Sequence, residues 1–141
     1  MRSFVILLVL LASEPAALQP GDHSRSLEVV GGGRSYLVHV PPGYDPAIAT
    51  PVVLAFHGGG ANAENMVAFS GLNEKVDQAG FIVVYPEGSG RFGRMRTFDA
   101  GNCCGHAAVR SIDDVAFTRL VLEDLARGGA GHQPSATPSS R

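Results

Sequence analysis

From Leu27 onward the apolar and polar positions fall into blocks of different period. "LEVV" (27–30) and "RSYLVHV" (34–40) are β-rich segments separated by Gly31, Gly32 and Gly33. Three residues that tolerate positive φ between two such segments predict an antiparallel hairpin. "PPGYDPAIATP" follows as a loop, and residues 52–56 are then apolar at every position, which suits a parallel strand covered on both faces. Across 62–79 the larger apolar side chains Met66, Phe69, Leu72 and Val76 recur at helical spacing, with Asn62 placed to cap the first turn and Gly80 to end the last. Residues 81–85 form a second all-apolar strand. Strand, helix, strand with short joints is a βαβ unit, with a right-handed crossover and parallel strands, so the predicted fold class is α/β.

A Gly- and Arg-rich connection over 86–110 leads to a second predicted helix over 112–127. Ser111 is placed to cap it, Asp113 and Asp114 favour its positive end, and Val115, Phe117, Leu120, Val121 and Leu125 supply its buried side. Gly128 and Gly129 stop it. An α/β sheet needs a strand after each crossover helix, yet residues 129–141 contain no apolar run and are rich in Gly, Pro, Ser and Ala, the composition of a disordered tail. The sheet is therefore expected to be unfinished.

The opposite end has a different pattern. Arg2 precedes an unbroken apolar run, 4–12, with small residues Ala16 and Ala17 beyond it, the order of a secretory signal peptide. The run is about half the ~20 residues a membrane span needs, Glu14 sits in the cleavage region, and no clean small-x-small triplet is present. An uncleaved anchor and a buried helix are the alternatives. The expected organisation is a signal peptide over 1–19, one folded domain over 24–128 and a tail over 129–141, placing the protein outside the cell with no membrane attachment after cleavage.

Composition narrows the partners. The chain has 141 residues, 45% of them hydrophobic, and a formal net charge of −2. That bounds it to one globular domain. Its single lysine and ten arginines are scattered, so no basic block exists to neutralise a phosphate backbone, and nucleic acid is not an expected partner.

The candidate chemistry lies in "HGGG", His57 with Gly58, Gly59 and Gly60. By spacing, Gly58, Gly60 and Ala63 match G-x-G-x-x-A at a strand-to-helix joint, with Glu87 where a dinucleotide fold places its ribose-binding acid. The preceding hairpin has no role in that scheme. A second reading is an oxyanion-hole loop at the carboxyl end of a central strand, where glycine lets the backbone approach and present N–H groups to a developing negative charge. Donors aimed in advance at such charge are worth ~3–4 kcal/mol each. Here His57 is structural rather than a proton carrier. The third reading is a turn that only connects strand to helix.

Five runs in order, "RSYLVHVPPGYD", "PVVLAFHGGGANAENM", "AGFIVVYPEG", "FDAGNCCGHA" and "IDDVAFTRLVLEDL", resemble the N-terminal half of secreted esterases related to polyhydroxybutyrate depolymerases and feruloyl esterases, over roughly residues 34–127. The resemblance implies an incomplete α/β-hydrolase fold and serine ester hydrolysis with neither metal nor organic cofactor. It implies an ester substrate for the parent protein: a polyester, a feruloylated polysaccharide or a smaller ester. In that family a tryptophan usually stands near Phe98, so this chain departs there. The implied mechanism is attack by a serine on a sharp strand-to-helix turn, proton transfer to a histidine oriented by an acid, and an oxyanion held by the glycine-loop N–H groups. In such hydrolases nucleophile, acid and histidine all follow the second helix, so no catalytic triad member is identified on this chain, and it is expected to be inactive alone.

Other residues bear on the same chemistry. Neither "EGSGR" around Ser89 nor "FSGLN" around Ser70 is G-x-S-x-G, and Ser89 is expected to be a turn residue. Asp113 and Asp114 are expected to serve the helix start rather than as a catalytic acid. His106 beside two cysteines gives too few spaced ligands for a metal. Cys103 and Cys104 are adjacent, with Cα atoms ~3.8 Å apart against the ~4.4–6.8 Å usual for a disulfide. In an oxidising compartment they would pair with cysteines outside this chain; a vicinal bridge and free thiols stay open. Two functional hypotheses follow: the glycine-loop half of a serine esterase, or a non-catalytic secreted module that uses the half-sheet for binding.

Overall fold

A computed structural model describes residues 17–90, 95–101 and 105–128. Four strands, β1 (Gly21–Val29), β2 (Gly32–Val40), β3 (Val52–Leu54) and β4 (Ile82–Pro86), form one sheet in the order β1-β2-β4-β3. The helices are α1 (Ala63–Ser70), α2 (Leu72–Ala79), α3 (Gly105–Val109) and α4 (Asp114–Arg127).

The hairpin predicted around Gly31–33 is present, and β1 pairs antiparallel with β2. Its first strand is longer than the predicted 27–30. It starts at Gly21 and alternates half-buried with exposed positions, although only Leu27 and Val29 among the half-buried ones are apolar. Leu18, further upstream and inside the expected leader, is 2% exposed in the core and its N–H donates to the Gly128 carbonyl at 2.8 Å. The folded layer thus begins N-terminal to residue 24.

The βαβ unit is confirmed, with β3 and β4 parallel from Val52↔Ile82 to Leu54↔Val84. β4 lies inside the sheet, and all five of its residues are buried. Period-two alternation sorts the side chains onto two faces. Tyr36, Val38, Val40, Ile82 and Val84 meet Phe117, Val121 and Leu125 of α4, while Val83 and Tyr85 meet Ala63 of α1 and Val76 of α2. Helices therefore cover both faces, the layering of an α/β domain.

Three expectations needed correction. The run 52–56 is not covered on both faces: β3 lies at the sheet edge among the described residues, and Val53 and Phe56 are 40% and 42% exposed. The helix expected over 62–79 is two helices, because Gly71 adopts φ 62, ending α1 and starting α2. The left-handed turn resets the helical phase, so Phe69 is 88% exposed while Val76 is fully buried. The last helix begins at Asp114, and its cap is Asp113, whose carboxylate accepts from Ala116 N–H at 2.8 Å, whereas Ser111 takes φ 48 in the turn before it. Val115, expected inside, is 72% exposed.

Candidate functional site

Parallel pairing puts the carboxyl ends of β3 and β4 side by side, and "HGGG" leaves β3 there. Ligands of α/β sheets gather at that end of the strands. Ala55 adds one more ladder bond, from its N–H to the Val84 carbonyl at 2.8 Å, before the chain turns away. Asn62 then caps α1, accepting from Asn65 N–H at 2.8 Å. Strand, glycine turn and capped helix are contiguous.

His57 is 5% exposed and holds the turn. Its Nδ1 lies 2.8 Å from the Gly58 carbonyl, and its Nε2 lies 3.1 Å from the N–H of Gly88, just past β4. Carbonyl on one side and N–H on the other assign the proton to Nδ1 and the accepting lone pair to Nε2. Glu87 Oε1 also lies 3.2 Å from Nε2, but a hydrogen bond to it would need a proton there and would orphan the buried Gly88 N–H. The backbone bond is the better-matched partner, and Glu87 is turned toward Ala63 N–H at 3.3 Å and Arg96 Nε at 3.7 Å. Both ring nitrogens of His57 are therefore engaged, consistent with a structural role.

The other side of the turn is fastened to the segment after β4. Gly60 donates its N–H to Arg96 O at 2.9 Å with φ 81, and Arg96 returns its N–H to Ala61 O at 3.1 Å. Ser89 and Thr97 exchange both backbone bonds, so Ser89 belongs to a short two-stranded bridge. Gly88 has no room for a side chain: a Cβ would lie 2.8 Å from Thr97 O and 3.0 Å from the His57 ring. Phe98 closes the arrangement, tilted over His57 at 4.8 Å and edge-on to Phe56 at 5.1 Å. Thus Phe98, where the resemblance expects a tryptophan, packs on the glycine turn.

Between these anchors Gly58 and Gly59 are exposed, and among the described residues neither N–H has a hydrogen-bond partner. A Cβ at either position would meet nothing within 4 Å. Two exposed glycines whose N–H groups have no partner among the described residues thus stand at the carboxyl end of the sheet.

Other predicted residues lie elsewhere. Glu87 is directed at Ala63 N–H and Arg96, and β2 runs antiparallel beside β4, which does not match the all-parallel unit expected for a dinucleotide site. Ser70 ends α1 with its hydroxyl accepting from Leu72 N–H at 3.3 Å. His106 is half-buried on α3, and among the described residues no three His, Cys, Asp or Glu side chains are arranged to hold a metal. Cys103 and Cys104, most of the expected leader and the tail 129–141 lie outside the described residues.

Sequence reasoning missed the charge pair beneath the site. Arg34 Nη1 lies 2.7 Å from Asp114 Oδ1, with side chains 8% and 9% exposed. It is a close charge contact rather than an aligned hydrogen bond. Arg34 also donates to the Glu87 carbonyl at 2.8 Å and lies 3.9 Å over the Phe117 ring. The second Asp114 oxygen accepts from Asp99 N–H at 2.6 Å. Asp114 is thus a buried tie between α4, the start of β2 and the end of β4, beyond its expected service to the helix dipole. Only the adjacency of two aspartates hinted that one had a further task.

No protein-family profile matches the chain. Over 67 residues it is 42% identical to NocK of Nocardia uniformis subsp. tsuyamanensis, assigned as an esterase; the match covers 46% of this chain and 19% of NocK. A structure from Bacteroides ovatus, assigned as a dipeptidyl aminopeptidase IV, superposes with a TM-score of 0.50 at 19% identity, over 74% of this chain and 16% of that one. The carboxylesterase EstE1 from a metagenomic library gives 0.47 at 22% identity over 82% and 34%. The feruloyl esterase module of Clostridium thermocellum gives 0.42 at 22% over 79% and 40%. The chain spans less than half the length of each of these proteins. Together with the mixed sheet and its helix-covered faces, the superposition at a TM-score of 0.50 identifies the architecture as part of an α/β-hydrolase fold.

Proposed function

We propose that this chain carries the oxyanion-hole portion of a secreted serine esterase of the polyhydroxybutyrate depolymerase and feruloyl esterase type. The observation that carries the reading is the pair of unfilled N–H groups of Gly58 and Gly59, held by His57 on Gly88 and by Gly60 on Arg96. The local likeness to an esterase supports the same chemistry. In the parent protein a serine attacks the ester carbonyl, a histidine takes its proton, and the glycine N–H groups bond the oxygen as it becomes negative. The acyl–oxygen bond breaks on collapse of that intermediate, and water then releases the acid. No serine of this sequence stands in G-x-S-x-G, so the chain alone has the hole without the nucleophile.

Two assays test this. Purified 141-residue chain is expected to hydrolyse p-nitrophenyl butyrate at the buffer rate; turnover abolished by a serine-directed inhibitor would show that a nucleophile had been overlooked. In an active protein containing this segment, Gly59→Pro deletes a donor and is expected to lower kcat by about 10²–10³, the effect of losing one oxyanion-hole donor. Gly59→Ala keeps the N–H and enters open space, so its kcat is expected to stay within several-fold. Equal losses in the two variants would remove the donor role from Gly59.

A further inference from the structure

On the other helical face, toward the opposite end of β4, lies a charge cluster that the esterase reading does not use. His39 of β2 stands beside Asp22 of β1 and Val83 of β4 in register. Its Nδ1 is 2.6 Å from Asp22 Oδ1 and its Nε2 is 2.9 Å from Asp77 Oδ1 on α2. A carboxylate oxygen accepts and cannot donate, so both contacts are hydrogen bonds only when both ring nitrogens carry protons. The His39 side chain is 12% exposed, whereas those of Asp22 and Asp77 are 78% and 45% exposed. Asn73 of α2 also donates to Asp22 Oδ1 at 3.3 Å and accepts from the Tyr85 hydroxyl at 2.6 Å.

We infer that His39, as an imidazolium held between the carboxylates of Asp22 and Asp77, is a pH-sensitive clamp that docks α2 on the sheet. When the ring loses a proton, one nitrogen presents a lone pair to a carboxylate and that contact turns repulsive. Val76 stays buried and the Tyr85–Asn73 bond is unaffected, so α2 loosens rather than unfolds. The other titratable groups around the adjoining cleft of about 410 Å³ are His23 of β1, Glu64 of α1 and Tyr85 of β4.

Burial of His39 opposes its charge, but the hydrogen bonds to Asp22 and Asp77 outweigh it, and the ring holds its proton more tightly than a free imidazole. The folded pKa is raised, so the clamp is complete below the unfolded value of ~6.5 and is lost as pH rises through the higher folded midpoint.

The test uses the 141-residue chain. Amide hydrogen exchange of α2, corrected for the intrinsic rate and referenced to β4, is measured at about pH 6 and about pH 9, on either side of the histidine range. Ring titration of His39 is followed by NMR. The clamp predicts that α2 loses protection at the higher pH, that His39→Gln and Asp77→Asn remove this pH dependence, and that Asp77→Asn lowers the ring midpoint. A His39 midpoint at or below the free-imidazole value of ~6.5 would overturn the inference. So would the same pH response of α2 in wild type and Asp77→Asn, and this holds even if His39→Gln fails to fold.

Discussion

Asp113 and Asp114 are neighbours of identical chemistry with different surroundings, so replacing each with alanine separates a surface cap from a buried ion pair. Asp113 is exposed and supplies one capping bond to Ala116, so Asp113→Ala is expected to cost about 0.5–2 kcal/mol, the usual cost of losing such a cap. Asp114→Ala removes the counter-charge of Arg34, which is 92% hidden from solvent on its 8% exposure, and also the acceptor for Asp99 N–H. Stranding a buried charge costs about 3–5 kcal/mol, and a lost backbone partner adds about 1–3 kcal/mol. The Glu87 carbonyl and the Phe117 ring still receive the guanidinium, so the lower part of the combined range is expected, about 4–5 kcal/mol. Urea unfolding followed by circular dichroism at neutral pH measures both variants. The double replacement Arg34→Met with Asp114→Leu removes both charges and is expected to recover at least half of the loss. If Asp114→Ala costs no more than Asp113→Ala, or the double variant is no better than Asp114→Ala, the buried-pair reasoning fails.

Two further outcomes follow from burial and edge exposure. Burial raises the pKa of Tyr36, Tyr44 and Tyr85, reinforced for Tyr36 by its hydrogen bond to Asp124. A raised phenol pKa contributes stability that is complete below the unfolded value near ~10 and is lost as pH rises above it, so phenolate absorbance should appear only as the native dichroism disappears. Ionisation of all three near pH ~10 in a still-native chain would contradict that burial. The exposed apolar positions Val53 and Phe56 predict that the isolated chain associates at micromolar concentration, and that Val53→Lys reduces it. Wild-type monomer by light scattering across that range would refute the edge argument.

What was legible in the sequence was local. Continuous apolar runs announced β3 and β4, three glycines announced the hairpin, and Asn62 and Gly80 announced helix ends, because each signal acts within a few residues. Gly71 showed how such a signal is masked: Met66, Phe69, Leu72 and Val76 kept helical spacing across a left-handed turn that places Phe69 outside. The full length of β1 was hidden because its half-buried positions include Gly21, His23 and Arg25, and Arg25 earns its place by pairing with Asp124 at 2.9 Å, from the far end of the chain. The same holds at the site. "HGGG" was visible as a motif, but its anchors Gly88, Arg96 and Phe98, and the Arg34–Asp114 tie beneath it, are joined only by folding. Long-range pairs of single polar residues leave no periodic trace.

The central claim is that Gly58 and Gly59 belong to an oxyanion hole whose nucleophile is encoded apart from these 141 residues. The most direct measurement is to resequence the gene and transcript from the codon of Leu125 past that of Arg141, reading every frame. An apolar strand followed by G-x-S-x-G is expected, which would place a serine beside β3 and give the two N–H groups a charge to hold. A transcript with no such segment in any frame would contradict it, leaving "HGGG" as a connecting turn of a binding module.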